Sequence, residues 1–400
     1  MDLLTRIYDD QLAFLEERST EERNSSLLCG DWGVLLFLFY YEHFFDPSQD
    51  NAAAVLQALY ERLDEDGEAG YNFCNGLTGA FWILQHLNEQ GLAELDLEEL
   101  TSEFINVAIE ESKEYLAAKN FDYLHGSAGI VNFLIPFAGT QEVRAHLELF
   151  VANLAAISKA TREGISLPVF NPIDEPGVWI DSLSMAHGSC GLLIILARIH
   201  EAGVAKDECS RLIYGSVDFL RSQRIGQKEE VSVFAPSLYP NTLDGKSNWS
   251  RVSWCYGDLS VALALWHCGQ YFKEGKWTAE ALDILQYNTN RIGEQNTGIN
   301  DSCFCHGAAG AAVIYRKFWQ ETGIQAFYDF SEYWYQYLLN DTSLAEHRLQ
   351  KGVKVAAGGS WLYRSDLLNG SAGVGLALLS RLHEKPLAWY DCFLISSVYQ

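Results

Sequence analysis

Three residues of this 400-residue chain are spaced as metal ligands. Cys255 lies in Trp254-Cys255-Tyr256-Gly257, and 50 residues later Cys305 and His306 are adjacent in Cys305-His306-Gly307. Both groups immediately precede an apolar run, so they occupy the same place in successive segments. Zinc takes thiolate and imidazole ligands at about 2.0–2.3 Å, which requires them to converge from adjacent elements. Two thiolates and one imidazole leave a fourth position open, the mark of a catalytic rather than a structural zinc. A centre so rich in thiolate lowers the pKa of an incoming thiol yet leaves its sulfur nucleophilic, which favours thiol alkylation over hydrolysis. The plainer alternative makes the cysteines small buried hydrophobes and His306 a satisfied polar residue. Cys303, two residues before Cys305, would close the site if it served as a fourth ligand, whereas Cys74 holds the equivalent place three repeats away.

The elements that must position these groups form a repeat. A Gly-x-x-Gly pattern opening an apolar run starts at Gly30, Gly76, Gly126, Gly188, Gly257, Gly307 and Gly370, with spacings of 46, 50, 62, 69, 50 and 63 residues. The second glycine is present in six of the seven, and only Ser260 departs. Seven occurrences at roughly regular spacing are a strong repeat signal. The apolar runs, such as Gly188 to Glu201, have helical length and are apolar nearly all round, as buried helices are. Amphipathic segments lie between them: over 142–161, Val143, Leu147, Phe150, Leu154 and Ile157 share one face, with Arg144, Glu148 and Lys159 off it. Similar segments lie near 1–18, 51–63, 100–119, 206–223, 278–291 and 322–340.

Each unit therefore reads as an outer amphipathic helix followed by an inner buried one. Seven such units predict an all-α (α/α)7 double toroid, one domain over residues 1–400. Glycines at the inner helix starts let backbones crowd together. That packing role accounts for each motif singly, but not for the residues that precede the first glycines: Cys29, Asn75, His125, His187, Tyr256, His306 and Asn369, with Cys74, Cys255 and Cys305 one position earlier. Such a gathering of ligand-type side chains at one rim calls for chemistry. Pro168, Pro172, Pro176, Pro236 and Pro240 fall in the long links before the fourth and fifth repeats, loops expected to overhang that rim.

Composition narrows the functional classes. A net charge of -25 argues against nucleic acid as a partner, because phosphate binding needs a basic face. The N-terminal residues carry acids and only Arg6, unlike a secretory signal, and the apolar stretch Gly33 to Tyr41 is too short to cross a bilayer. No membrane span is expected, and the chain reads as cytoplasmic. Nine scattered cysteines then suit thiols and metal ligation rather than a disulfide framework.

From Gly30 to Gly373 the sequence resembles the lantibiotic cyclases and the wider lanthionine synthetase C-like family, most specifically in Trp254-Cys255-Tyr256-Gly257 and Cys305-His306-Gly307. The resemblance implies the same toroid, one zinc ion on Cys255, Cys305 and His306, and Michael addition of a peptide cysteine to dehydroalanine or dehydrobutyrine. It also carries over three further positions. Ala186-His187-Gly188 matches the family's fourth-repeat His-Gly, which makes His187 the candidate general acid for the enolate. Asp122, four residues before Gly126, matches an active-site acid that would orient His187 or assist proton transfer. Arg251, four residues before Cys255, would stabilise the enolate oxygen or fix Asp122, and Tyr256 matches the tyrosine after the ligand. Plainer roles exist for each: a helix cap for Asp122, a solvated charge for Arg251, packing for Tyr256. Without the resemblance His125 and His187 are not ranked by motif, although His187 stands one repeat from the ligands and His125 two.

The expected reaction is closure of (methyl)lanthionine rings in a dehydrated precursor peptide. No dehydratase or kinase region precedes the repeats, so a separate dehydratase is the expected second partner. Two other readings stand beside it: a glutathione-adding enzyme that quenches dehydroamino acids, and a non-catalytic peptide-binding scaffold in a modification complex.

Overall fold

The structure, a computed structural model, describes residues 3–17, 24, 26–63, 70–171, 178–225, 232–235, 237–238, 249–341, 352–357 and 360–396. Of the five link prolines only Pro168 lies within them; Pro172, Pro176, Pro236 and Pro240 lie outside. Fourteen longer helices alternate along the described chain as the repeat predicts. The amphipathic ones are α1 (Leu3–Glu17), α3 (Asn51–Tyr60), α5 (Glu98–Ala117), α7 (Gln141–Ile157), α9 (Lys206–Ser222), α11 (Gly275–Asn288) and α13 (Gln325–Leu339). The apolar ones are α2 (Asp31–Phe44), α4 (Leu77–Glu89), α6 (Ser127–Leu134), α8 (Ser189–Glu201), α10 (Asp258–Phe272), α12 (Ala308–Thr322) and α14 (Ser371–Arg381). Each of the seven apolar helices begins one residue after the first glycine of its motif.

Burial follows composition. In α8 every residue from Ser189 to Ile199 is buried, and in α10 every residue from Asp258 to Gly269. By contrast α7 buries one stripe, Val143, His146, Leu147, Phe150, Val151 and Leu154, with Thr140 capping its first turn. It stops at Ile157, short of the amphipathic span read from sequence, because Lys159–Ala160 pairs as a strand with Ile165–Ser166. The proline-rich link before α8 is not structureless either. Val169–Asn171 and Val178–Ser182 pair antiparallel there, and Asp181 of the second pairs with Leu238.

Two compact units divide the chain: Met1–Thr101 with Ile299–Tyr390, and Ser102–Gly298 with Asp391–Gln400. In the first, apolar helices pack in the order α4, α2, α14, α12; in the second, α6, α8, α10. The tight hairpin runs from an apolar helix to the amphipathic one after it, the reverse of the unit read from sequence. α11 folds back on α10 through residues 273–274, and α13 on α12 through 323–324. The first amphipathic helix thus pairs with the last apolar one: α1 packs on α14, and Gln11 Nε2 donates to Ser365 O at 3.0 Å and Ser371 Oγ at 2.6 Å. Among the described residues no helix is long and apolar enough to cross a membrane.

The motif glycines perform two separate tasks. The first fits against its own preceding loop: a Cβ on Gly30 would lie 2.2 Å from Asn24 O. The second lets neighbouring repeats touch, since a Cβ on Gly79 would lie 2.4 Å from Phe73 O and 2.5 Å from Leu27 Cβ of the previous repeat. Where Ser260 replaces that glycine, its hydroxyl turns onto the carbonyl the glycine would face, Trp254 O, at 2.8 Å. The loops before the apolar helices are also laced together at the residue two before the first glycine. Cys305 N–H donates to Leu368 O at 2.9 Å, Leu368 N–H to Leu28 O at 2.8 Å, and Leu28 N–H to Cys74 O at 3.1 Å. In the second unit Cys255 O accepts Ala186 N–H at 3.4 Å and, one residue earlier, Met185 N–H at 2.9 Å. Side chains at this level are therefore set by a hydrogen-bonded band of backbone rather than by free loops.

Candidate active site

In four of the loops the residue four before the first glycine sets the turn. Its side chain accepts the N–H of the residue just before that glycine: Asn75 N to Asn72 Oδ1 (2.8 Å), His125 N to Asp122 Oδ1 (2.8 Å), His187 N to Ser184 Oγ (2.9 Å) and Asn369 N to Asp366 Oδ1 (2.6 Å). These are side-chain turns of the kind that Asn, Asp and Ser support. They present the rim residues, and they explain why polar residues recur at this offset.

Asp122 does this and more. Oδ1 holds the N–H groups of Leu124 and His125, both at 2.8 Å, while Oδ2 meets His187 Nδ1 at 2.6 Å. One oxygen thus closes the turn of its own loop, not a helix cap, since the helix from Ser127 has no side-chain cap, and the other meets His187. The rings of His125 and His187 stack at 5.9 Å and 14°. Electrostatics then separates two histidines that share one motif. For His187, burial would lower the pKa, but the charge and hydrogen bond of Asp122, with the Cys255 sulfur adding to them, hold it above the usual imidazole value. His125 is pushed below that value by burial and by the neighbouring His187, and Asp122 offsets this only in part. Burial opposes ionisation of Asp122 too, yet the His187 pairing and the His125 N–H keep its carboxyl below the usual range. His187 is therefore the more readily protonated ring of the two.

Ser184, which sequence reasoning passed over, ties this pair to Cys255. Its hydroxyl accepts His187 N–H and donates to the Cys255 carbonyl, and Ser184 and Tyr256 form an antiparallel bridge. The only advance sign of it was its offset from Gly188, the same as that of Asp122 from Gly126. Cys255 is buried, with its thiol 3.7 Å from Ser253 Oγ. Tyr256 is half-buried, and its carbonyl accepts Ser253 Oγ at 3.0 Å. Arg251 is half-buried and its Nε, enclosed by protein, has no hydrogen-bond partner among the described residues. Among the described residues the Asp122 carboxylate bonds His187, His125 and Leu124, not Arg251.

Cys305 and His306 lie in the other unit. Cys305 is half-buried and held by its N–H to Leu368 O. His306 Nε2 lies 3.4 Å from Oδ2 of the fully buried Asp301, and the Cys303 thiol completes a group whose ligand-type atoms all fall within 4.8 Å of one another. Asp301 was not anticipated. Burial disfavours its charge, but His306, the Ala356 N–H and the Cys303 side chain outweigh this and hold its pKa below the usual range; the Cys303 N–H also bonds Oδ1 at 3.2 Å. Those bonds occupy both carboxylate oxygens. Asp301 thus has the form of an orienting carboxylate, which fixes a ligating histidine by taking one ring N–H and leaves Nδ1 for the metal. In that sense the residues suit zinc, with an imidazole oriented from behind and the Cys303 thiol close to it. Asp301, Cys303 and His306 could equally supply one ligand atom each, and the two sets share only His306.

With this geometry in view, comparison with known proteins is informative. The family model for lanthionine synthetase C-like proteins matches residues 21–394. The chain belongs to the lanthionine synthetase C-like family. Among solved structures, nisin cyclase is similar over 98% of this chain and 97% of its own, at 18% sequence identity and a TM-score of 0.72. That likeness shows the fold, the helical toroid that seven repeats predict. No curated protein matches the chain.

Proposed function

We propose that the chain is a zinc-dependent lanthionine cyclase, a single toroid domain that joins peptide cysteines to dehydroalanine or dehydrobutyrine. The observation that carries this reading is the His187–Asp122 pair, coupled through Ser184 to Cys255. Cys255, Cys305 and His306 are the proposed zinc ligands, and the bound ion would supply a peptide thiol of lowered pKa.

The residues of the chain then divide the remaining work. As the sulfur adds, the S–H bond breaks, a C–S bond forms and the alkene π pair moves onto an enolate, whose oxygen the Arg251 guanidinium would stabilise. With Nδ1 engaged by Asp122, His187 gives its Nε2 proton to the α-carbon. The thiol proton passes to solvent and His187 is recharged from it, so no oxidant or reductant is used. Tyr256 lines the same loop and steers the incoming peptide.

The dehydrated precursor peptide reaches this site from a separate dehydratase, and the nine free cysteines suit a reducing cytoplasm. Incubating purified protein with a dehydrated, cysteine-bearing precursor should consume free thiol and leave the peptide mass unchanged. Thiol loss no faster than the uncatalysed rate would refute the cyclase reading, whereas mass gains from added glutathione would favour intermolecular addition.

A further inference from the structure

Arg251 is held by its neighbours in an unusual degree of detail. On one side the Ser250 carbonyl accepts Arg291 Nη2 and the Ser250 N–H donates to Ser232 Oγ at 2.9 Å. On the other, Val252 N–H donates to Thr297 O at 2.8 Å. Arg291 is itself 4% exposed, with Nε on Asn296 O at 2.9 Å and Nη1 on Asn288 Oδ1 at 2.8 Å and Asp258 Oδ2 at 3.3 Å. Asp258, fully buried in the first turn of α10, also accepts Asn288 Nδ2 at 2.9 Å and the N–H groups of Val233 and Phe234.

The Arg251 stem rests on Gly298. That glycine has φ +72°, and a Cβ there would lie 3.0 Å from Arg251 Cγ, 3.2 Å from its Nε and 2.5 Å from the Trp249 ring. Cys255, four residues on, is held by other partners, Ser184 and Met185.

A buried ion pair is a poor device for raising stability, because desolvation cancels most of the attraction; its use is in specifying one arrangement. From this we propose that Asp258, Arg291 and Gly298 are positioning residues. Together they form a frame that fixes both peptide groups of Arg251 and the course of its side chain, so that the guanidinium is already in place when the enolate forms. This rests on the role given to Arg251 in the proposed cyclase reaction. It also separates two neighbours in sequence: the frame serves Arg251, and the fourth-repeat loop serves Cys255.

The test is a mutant cycle on kcat for thiol addition within a synthetic peptide bearing one cysteine and one dehydroalanine. Gly298→Ala and Arg291→Lys should each lower kcat roughly 10- to 100-fold, the scale of an ångström-sized displacement. KM and bound zinc per chain should stay unchanged, with variants assayed well below their melting temperatures. In an Arg251→Ala background either substitution should alter kcat by less than about twofold, since the group it displaces is gone. Rate losses that persist at full size in that background, or that track loss of zinc, overturn the frame and leave the cyclase reading standing. A full rate for Arg251→Ala alone overturns the assignment of Arg251, and the frame with it.

Discussion

The sharpest test of the proposed acid is Asp122→Asn. Oδ1 of Asp122 accepts two backbone N–H groups at 2.8 Å, and an amide oxygen can do the same, so the turn that presents His125 should survive. Flipping the amide would give up both bonds, which directs its NH2 group at His187 Nδ1. A donor in that place opposes a proton on Nδ1 and removes the charge that stabilises the imidazolium. What remains acting on His187 is burial, together with its neighbours, and burial lowers an imidazole pKa.

In the native protein, activity that depends on protonated His187 persists above the usual imidazole pKa and falls as pH rises through the raised value. In Asp122→Asn this alkaline limb must move to lower pH. The size follows from exchanging a charge-assisted hydrogen bond for a neutral one, about 1.5–3 against about 1 kcal/mol. Because the His187 and Asp122 side chains are 48% and 21% exposed, solvent screening favours the lower end. A difference of roughly 0.5–1 kcal/mol moves the limb down by about 0.4–0.7 pH unit, a fall in kcat of about two- to fivefold at pH above the native limb. The assay is thiol consumption by the cysteine–dehydroalanine peptide across the neutral range, with circular dichroism confirming the fold. An alkaline limb that stays in place or moves up would refute the pairing as the source of the acid.

Three further outcomes follow from other parts of the molecule. Cys305→Ala should abolish stoichiometric zinc, while Cys303→Ala should retain it by elemental analysis; the opposite result would move the ligand set to Asp301, Cys303 and His306. If Asp301 orients His306 rather than ligating, Asp301→Asn should weaken zinc about 10–100-fold in a chelator competition without abolishing binding. Gly79→Ala drives a methyl group against Phe73 O and Leu27, so it should destabilise by about 1–3 kcal/mol, and an unchanged melting temperature would show that the close approach between repeats is dispensable.

Much of the architecture was legible because it rests on short-range patterns. Apolar helices such as α8 announce themselves by being apolar all round, and a glycine pair is a local mark of close approach. The pairing of those helices was not legible in the same way. Alternation is symmetric, so it does not say whether α10 folds onto the helix before it or after it. The two-residue link at 273–274 decides for α11, and the consequence, α1 packed on α14, joins residues some 360 positions apart through Gln11 and Ser371.

The chemistry divides along the same line. Ligand-type residues beside glycines can be read from one repeat at a time, and so can the turn-forming offset that Asp122 and Ser184 share. What a single repeat cannot supply is the second use of a side chain. His125 and His187 both stand in His-Gly-Ser, and nothing within either motif orders them. They differ because Asp122 turns one oxygen toward its own loop and the other toward His187, 65 residues away. Arg291 supports the Ser250 carbonyl across 41 residues, from just past a helix end whose sequence shows only Arg-Ile-Gly-Glu. Each such residue satisfies a local requirement with one atom and a distant one with another. The local requirement is enough to explain its presence: Asp122 Oδ1 closes a loop turn on Leu124 and His125, and the local pattern says nothing of the second oxygen, which meets His187.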